Sequence, residues 1–177
     1  HGNPREIVSD GGSDLKKGVE LFRQTRPAVA HAYDIKHKVA LLLKKELERD
    51  DAWDKYVSAA NVARRGLTLT PAAFLVPAAL KPKARYMNLD RLVTWGVKAL
   101  AYLEKPREVP GQPVNAKRVK GRLDWLLKYR QRLAEWSALM KVAGACENYV
   151  RHQGLHAAAV EELRARLEPL AVCPPSR

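Results

Sequence analysis

A short β-branched run, Glu6-Ile7-Val8-Ser9, carries Asp10 to its end; Gly11-Gly12 then breaks the backbone, and Ser13 is placed to cap a helix opened by Asp14-Leu15-Lys16-Lys17. Leu15, Val19 and Phe22 recur at i, i+4 and i+7, so an amphipathic helix is expected from Asp14 to about Gln24, stopped by Pro27. Val29-Ala30-His31-Ala32-Tyr33-Asp34-Ile35 is the next strand candidate. Strand, helix and strand in that order imply a parallel pair joined by a right-handed crossover. Asp10 then stands at a strand's carboxyl end. There α/β proteins hold reactive groups, because the strand fixes the residue while the turn leaves its side chain open to a ligand. Two readings of Asp10 stand side by side: a metal-binding carboxylate, or part of an ordinary polar turn, for which Asp-Gly-Gly is suited by itself.

From Lys38 onward the pattern is helical. Val39, Leu43 and Leu47 repeat every four residues, and Trp53, Val57 and Ala60 continue in a second helix after Asp50-Asp51. Gly66 to Lys83 reads as an irregular connector punctuated by Pro71, Pro77 and Pro82, with room for a short helix over Ala72 to Leu80. Leu92, Trp95, Ala99 and Leu103 mark a helix that ends before Pro106, and Pro110-Gly111-Gln112-Pro113 is the clearest hinge. The longest periodic segment runs from about Val119 to Gln153, with Leu126, Leu133, Trp136, Met140, Ala143 and Val150 on one stripe. A last helix, Leu155 to about Leu167, turns Ala159 and Leu163 inward. The fold class is therefore α/β turning mostly α: two strands and a crossover helix, then an all-helical extension.

The formal net charge of +13, spread over nearly every segment, favours polyanions, of which nucleic acid is the commonest in cells. No apolar run approaches the roughly 20 residues that span a bilayer, and no signal peptide is visible, so the expectation is a cytoplasmic protein with no membrane partner. Cys146 and Cys173 lack metal-binding spacing and form no disulfide framework. His152 and His156 are four apart, but Gly154 between them should end the helix that a shared metal would need. The chain begins with His1, reaches its key strand within ten residues and closes on Cys173-Pro174-Pro175-Ser176-Arg177, a linker-like end. It reads as an excerpt of a longer protein.

The segment Pro4-Arg5-Glu6-Ile7-Val8-Ser9-Asp10-Gly11-Gly12-Ser13-Asp14-Leu15 resembles the surroundings of the second catalytic aspartate in DDE-type transposases and integrases, which have a ribonuclease-H-like core. Asp10 occupies the matching position. Tyr33-Asp34-Ile35-Lys36-His37-Lys38 is similar to the Asp/Cys-x-x-His signature after the next strand in several transposase groups. Lys83-Ala84-Arg85-Tyr86-Met87-Asn88 and Trp95-Gly96 resemble the helical middle of bacterial insertion-sequence transposases. The resemblance implies a partial ribonuclease-H-like core over 1–38, the first part of a helical insertion over 39–109, a long helical hairpin over 110–170 and a linker over 171–177. It also implies phosphodiester cleavage and strand transfer on DNA, both transposon ends and target, by a bacterial, nucleoid-associated protein acting as a homodimer on its DNA.

Such chemistry uses two Mg²⁺ (or Mn²⁺) ions about 3.5–4 Å apart, held by convergent carboxylates because hard cations demand oxygen ligands. By resemblance, a first aspartate comes from an early strand, which this chain lacks, and a glutamate from a later helix. The two-metal site is thus incomplete here, and the chain alone is expected to be inactive. Glu147 is the candidate third carboxylate, because it lies on the apolar stripe of the long helix, three residues from Val150 and four from Ala143. The alternative is a glutamate beyond the carboxyl terminus, with Glu147 instead paired to Arg130 or Arg151. Asp34 and His37 either support the metal site or serve the helix, Asp34 capping it by accepting from the amide of His37.

Phosphate contacts are expected from Lys44-Lys45, Arg64, Arg65, Lys81, Lys83, Arg85 and above all Lys117, Arg118, Lys120 and Arg122, four cations within six residues at a helix start. A helix amino terminus does not favour cations, so another influence should hold them there. Trp53, Trp95, Trp125 and Trp136 have apolar neighbours and read as core, whereas Asp90 and Glu161-Glu162 read as surface acids. Against the transposase stands a second hypothesis, a non-catalytic basic helical module that binds nucleic acid or a partner protein, such as a decayed transposase.

Overall fold

A computed structural model describes residues 4–79, 89–106, 115–154 and 156–170. Strand β1 (Glu6–Ser9), helix α1 (Ser13–Thr25) and strand β2 (Ala30–Tyr33) come first, followed by α2 (Ile35–Glu48), α3 (Asp51–Leu67), α4 (Leu89–Glu104), α5 (Ala116–Leu123), α6 (Arg130–Gln153) and α7 (Ala157–Leu167). The chain is mostly helical with a two-stranded parallel sheet, as the sequence pattern implies. Strand register pairs Glu6 with Ala30 and Ser9 with Tyr33.

The core lies in the helical part. Leu47, Tyr56, Leu67, Leu92, Leu123, Leu126 and Leu133 are almost wholly enclosed, and the indoles of Trp53 and Trp136 are buried beside them. Trp95 and Trp125 are only half-buried, yet they pack on the same cluster and donate to the carbonyls of Leu75 and Arg122. All four tryptophans therefore stabilise the core.

Tyr56 is the hub of this cluster. Its ring lies 5.1–5.8 Å from those of Trp53, Trp125, Tyr129 and Trp136, a range in which tilted and edge-on aromatic pairs attract. Its hydroxyl donates to the Leu92 carbonyl at 2.8 Å, and burial pushes the phenol well above its ordinary pKa, so it stays protonated as the donor. Gly96 makes that contact available: a Cβ there would collide with the Tyr56 hydroxyl and crowd Leu133.

The sheet unit packs separately. Val19 and Val29 are buried but lie outside the main cluster. Side chains alternate along a strand, and the alternation here is lopsided: Ser9 is buried, whereas Val8 on the other face is 62% exposed. Helix α2 joins the two parts, with Leu47 at its far end in the main core.

Several local expectations are corrected. Ser13 is not the cap of α1; it is the first helical residue, and Gly12 holds the cap position without a side-chain bond. The connector after α3 holds one 3₁₀ turn, Ala73–Leu75, rather than a helix over the described part of 72–80. The long periodic segment is not one helix: a 3₁₀ stretch, Asp124–Tyr129, separates α5 from α6. Gly154 does end α6, with φ +76°. The hinge over Pro110–Pro113, Cys173 and the linker over 171–177 lie outside the described residues, as do Lys81, Lys83 and Arg85.

Candidate functional site

Two surfaces gather the residues singled out by their chemistry. The first is the carboxyl end of the sheet. Asp10 follows β1 directly, and Asp34 follows β2; because the strands are parallel and Ser9 is in register with Tyr33, both acids emerge at the same end on neighbouring strands. The amide of Asp34 donates to the Ser9 carbonyl at 2.7 Å, which fixes that alignment.

Asp10 is exposed. Its Oδ1 accepts from the Gly12 amide at 2.9 Å, the geometry of an Asx turn, and its other oxygen has no partner among the described residues. Gly11 has φ +79°, a conformation glycine adopts without strain, and the Tyr33 ring lies where a Cβ would project. Lys38 reaches the same ring, with Nζ 4.2 Å from its centroid. Ser9 and His31, on the paired strands, share a hydrogen bond of 2.9 Å between Oγ and Nε2.

Asp34 caps α2, but through the amide of Lys36 at 3.0 Å instead of that of His37. His37 is half-buried and hydrogen-bonds neither carboxylate. Glu147 is held elsewhere: its Oε1 accepts from Arg151 Nη2 at 2.7 Å, one helical turn along α6. Arg130, the other partner considered, pairs with Glu104. Glu162, expected to be a plain surface acid, accepts from the Tyr149 hydroxyl at 2.5 Å and raises that phenol's pKa. His152 bonds the Asn148 carbonyl and His156 caps α7 through Ala159, so these two imidazoles serve separate helices.

A divalent-cation site needs several converging oxygens. Among the described residues, no group of three or more histidine, cysteine or acidic side chains converges in that way. Asp10, even with Asp34 beside it, therefore does not make a complete site from this chain's described residues.

The second surface is cationic. Arg64 and Arg65 stand on the last turn of α3, just before Gly66, and α5 crosses there. The Arg122 guanidinium occupies the space where Gly66 would carry a Cβ, so the glycine seats that arginine against the α3 backbone. At 3.6 residues per turn, Val119 and Leu123 turn α5 inward, while Arg118 and Arg122 share one flank and Lys117 and Lys120 fall on other sides. Asn115 caps the helix, its Oδ1 accepting from the Arg118 amide at 3.0 Å.

Because α5 is only 8 residues long, Lys120 and Arg122 fall in its last turn, where the dipole favours cations; Lys117 and Arg118 remain against it. Arg64, Arg65, Lys117, Arg118, Lys120 and Arg122 have no carboxylate partner among the described residues. By contrast, Lys44 is paired with Glu48 at 3.4 Å.

Between these elements lies a recess of about 120 Å³, lined by Leu67, Thr70, Pro71, Ala72, Asn115, Arg118, Val119 and Arg122. Periodicity and charge do not reveal it in the sequence. Gly66, read in the sequence as the start of the connector, falls inside α3; the cue the sequence does offer is Asn115 just ahead of the basic helix, a capping residue. No helix of the described residues is long and apolar enough to cross a membrane. Comparison of the chain with family models, curated proteins and solved structures gives no match.

Proposed function

We propose that this chain is the central part of a DDE-type DNA transposase, contributing the second catalytic aspartate, Asp10, and a basic helical body that holds DNA by its phosphates. The observation that carries the reading is the placement of Asp10. It is exposed at the carboxyl end of a parallel strand, no arginine or lysine among the described residues neutralises it, and a second acid, Asp34, emerges beside it. When bound, Mg²⁺ or Mn²⁺ would stabilise the attacking and leaving oxygens of the phosphodiester. The remaining carboxylates come from elsewhere in a longer polypeptide, and Glu147, tied to Arg151, is not the favoured third one.

The cationic face supplies the grip. Six cations on α3 and α5 have no carboxylate partner among the described residues, so a polyanion lying against Arg118, Arg122 and the end of α3 would relieve their repulsion and release counterions. In the intact protein, Asp10→Asn should abolish Mg²⁺-dependent strand cleavage and leave DNA affinity nearly unchanged. Cleavage at the wild-type rate by that variant would remove Asp10 from the chemistry.

The Glu147–Arg151 pair favours one second reading, a basic helical module that binds nucleic acid without cutting it. Under that reading Asp10 serves only its Asx turn. The wild type would then show no Mg²⁺-dependent cleavage, and Asp10→Asn would leave binding unchanged.

A further inference from the structure

We infer that the recess between α3 and α5 receives a single unstacked nucleobase, while Arg118 and Arg122 hold the phosphates of its strand. The inference rests on the reading of the cationic face as a nucleic-acid surface and goes beyond it by naming the form of the ligand. The walls are apolar, built from Leu67, Pro71, Ala72 and Val119, and the two arginines stand on one flank of α5. A cavity of roughly 150 Å³ lined by apolar side chains admits benzene, so the 120 Å³ here is room for about one six-membered ring.

The side-chain oxygens in the recess are already engaged. Thr70 Oγ1 donates to the Leu67 carbonyl and accepts from the Ala72 amide, and Asn115 Oδ1 accepts from the Arg118 amide. The Asn115 Nδ2 group remains as a donor, so the recess takes a ring mainly by apolar contact, and its volume suits the single ring of a pyrimidine better than the two rings of a purine. The two guanidiniums lack carboxylate partners among the described residues, and Gly66 lets Arg122 lie close to the recess. An apolar slot with paired cations matches the two halves of a nucleotide. In a fully paired duplex the bases are stacked and cannot enter.

The test compares fluorescently labelled duplex DNA carrying one unpaired nucleotide with the fully paired duplex, by anisotropy, using the whole chain. The wild type should bind the unpaired form about tenfold more tightly, the effect of one base contact of ordinary strength. Ala72→Leu fills the recess, and Pro71→Phe closes its rim from an exposed position that spares the core. Either variant, shown folded by circular dichroism, should erase the difference and keep wild-type affinity for paired duplex. Equal binding of the two DNAs by the wild type, or a difference that survives in a folded filling variant, overturns the inference. A free deoxynucleoside monophosphate that displaces the unpaired DNA at low concentration would also overturn it, marking a site for small nucleotides. The reading beneath it fails separately: the double variant Arg118→Gln, Arg122→Gln should weaken both DNAs, and unchanged affinity for both would deny the nucleic-acid surface itself.

Discussion

Two glycines in helices show how the same substitution takes opposite signs. At Gly96 a new methyl would meet the Tyr56 hydroxyl and Leu133, both enclosed, so neither neighbour can withdraw. Overpacking of this kind costs about 1–3 kcal/mol, more than the roughly 1 kcal/mol that alanine gains over glycine in a helix. Gly96→Ala should therefore lower the urea midpoint, whereas Gly66→Ala, which meets only the movable tip of Arg122, should hold or raise it. Residue by residue, the sequence displays the acids better than their partners. The exposed strand-end position of Asp10 follows from β-branched residues running into a glycine pair. The ties of Asp34 to Lys36 and of Glu147 to Arg151 depend on rotamers that spacing alone leaves open.

At the level of elements, the start of α3 depends on one carboxylate. Asp50 Oδ1 accepts from the Ala52 amide at 3.0 Å, capping the helix, while Oδ2 accepts from the Trp136 indole at 3.0 Å and lies 3.6 Å from Arg132. Cap and charged hydrogen bond together contribute about 2–4 kcal/mol, so Asp50→Ala should lower unfolding free energy by that amount in denaturant titration. The sequence shows Asp50 only as a break between helices, because its tie to α6 spans most of the helical body. The unforeseen 3₁₀ stretch has a physical cause as well. Leu123, Leu126 and Tyr129 are buried at a spacing of three, which eclipses side chains in a 3₁₀ turn but reads as a loose helical stripe on paper. The two strands, α1 and the α6 terminus at Gly154 are legible because glycine, proline and β-branched residues act locally.

Over the whole molecule, charge decides the behaviour that composition can forecast without specifying where. A net +13 predicts salt-sensitive association with DNA, and α3 and α5 carry six of the cations that have no carboxylate partner among the described residues. Replacing Arg64, Arg65, Arg118 and Arg122 by glutamine should make the logarithm of the binding constant fall less steeply with the logarithm of salt. The slope should shrink by about 0.9 for each duplex phosphate that the variant no longer neutralises. An unchanged slope would place the phosphates on another face. Helix α2 then acquires a meaning beyond packing. It starts at the Asp34 cap, ends at Leu47 among the core leucines, and spans about 21 Å as a straight 14-residue rod. Under the proposed function it would act as a ruler between Asp10 and the helical body: adding or removing one residue would swing the sheet end about 100° around the rod.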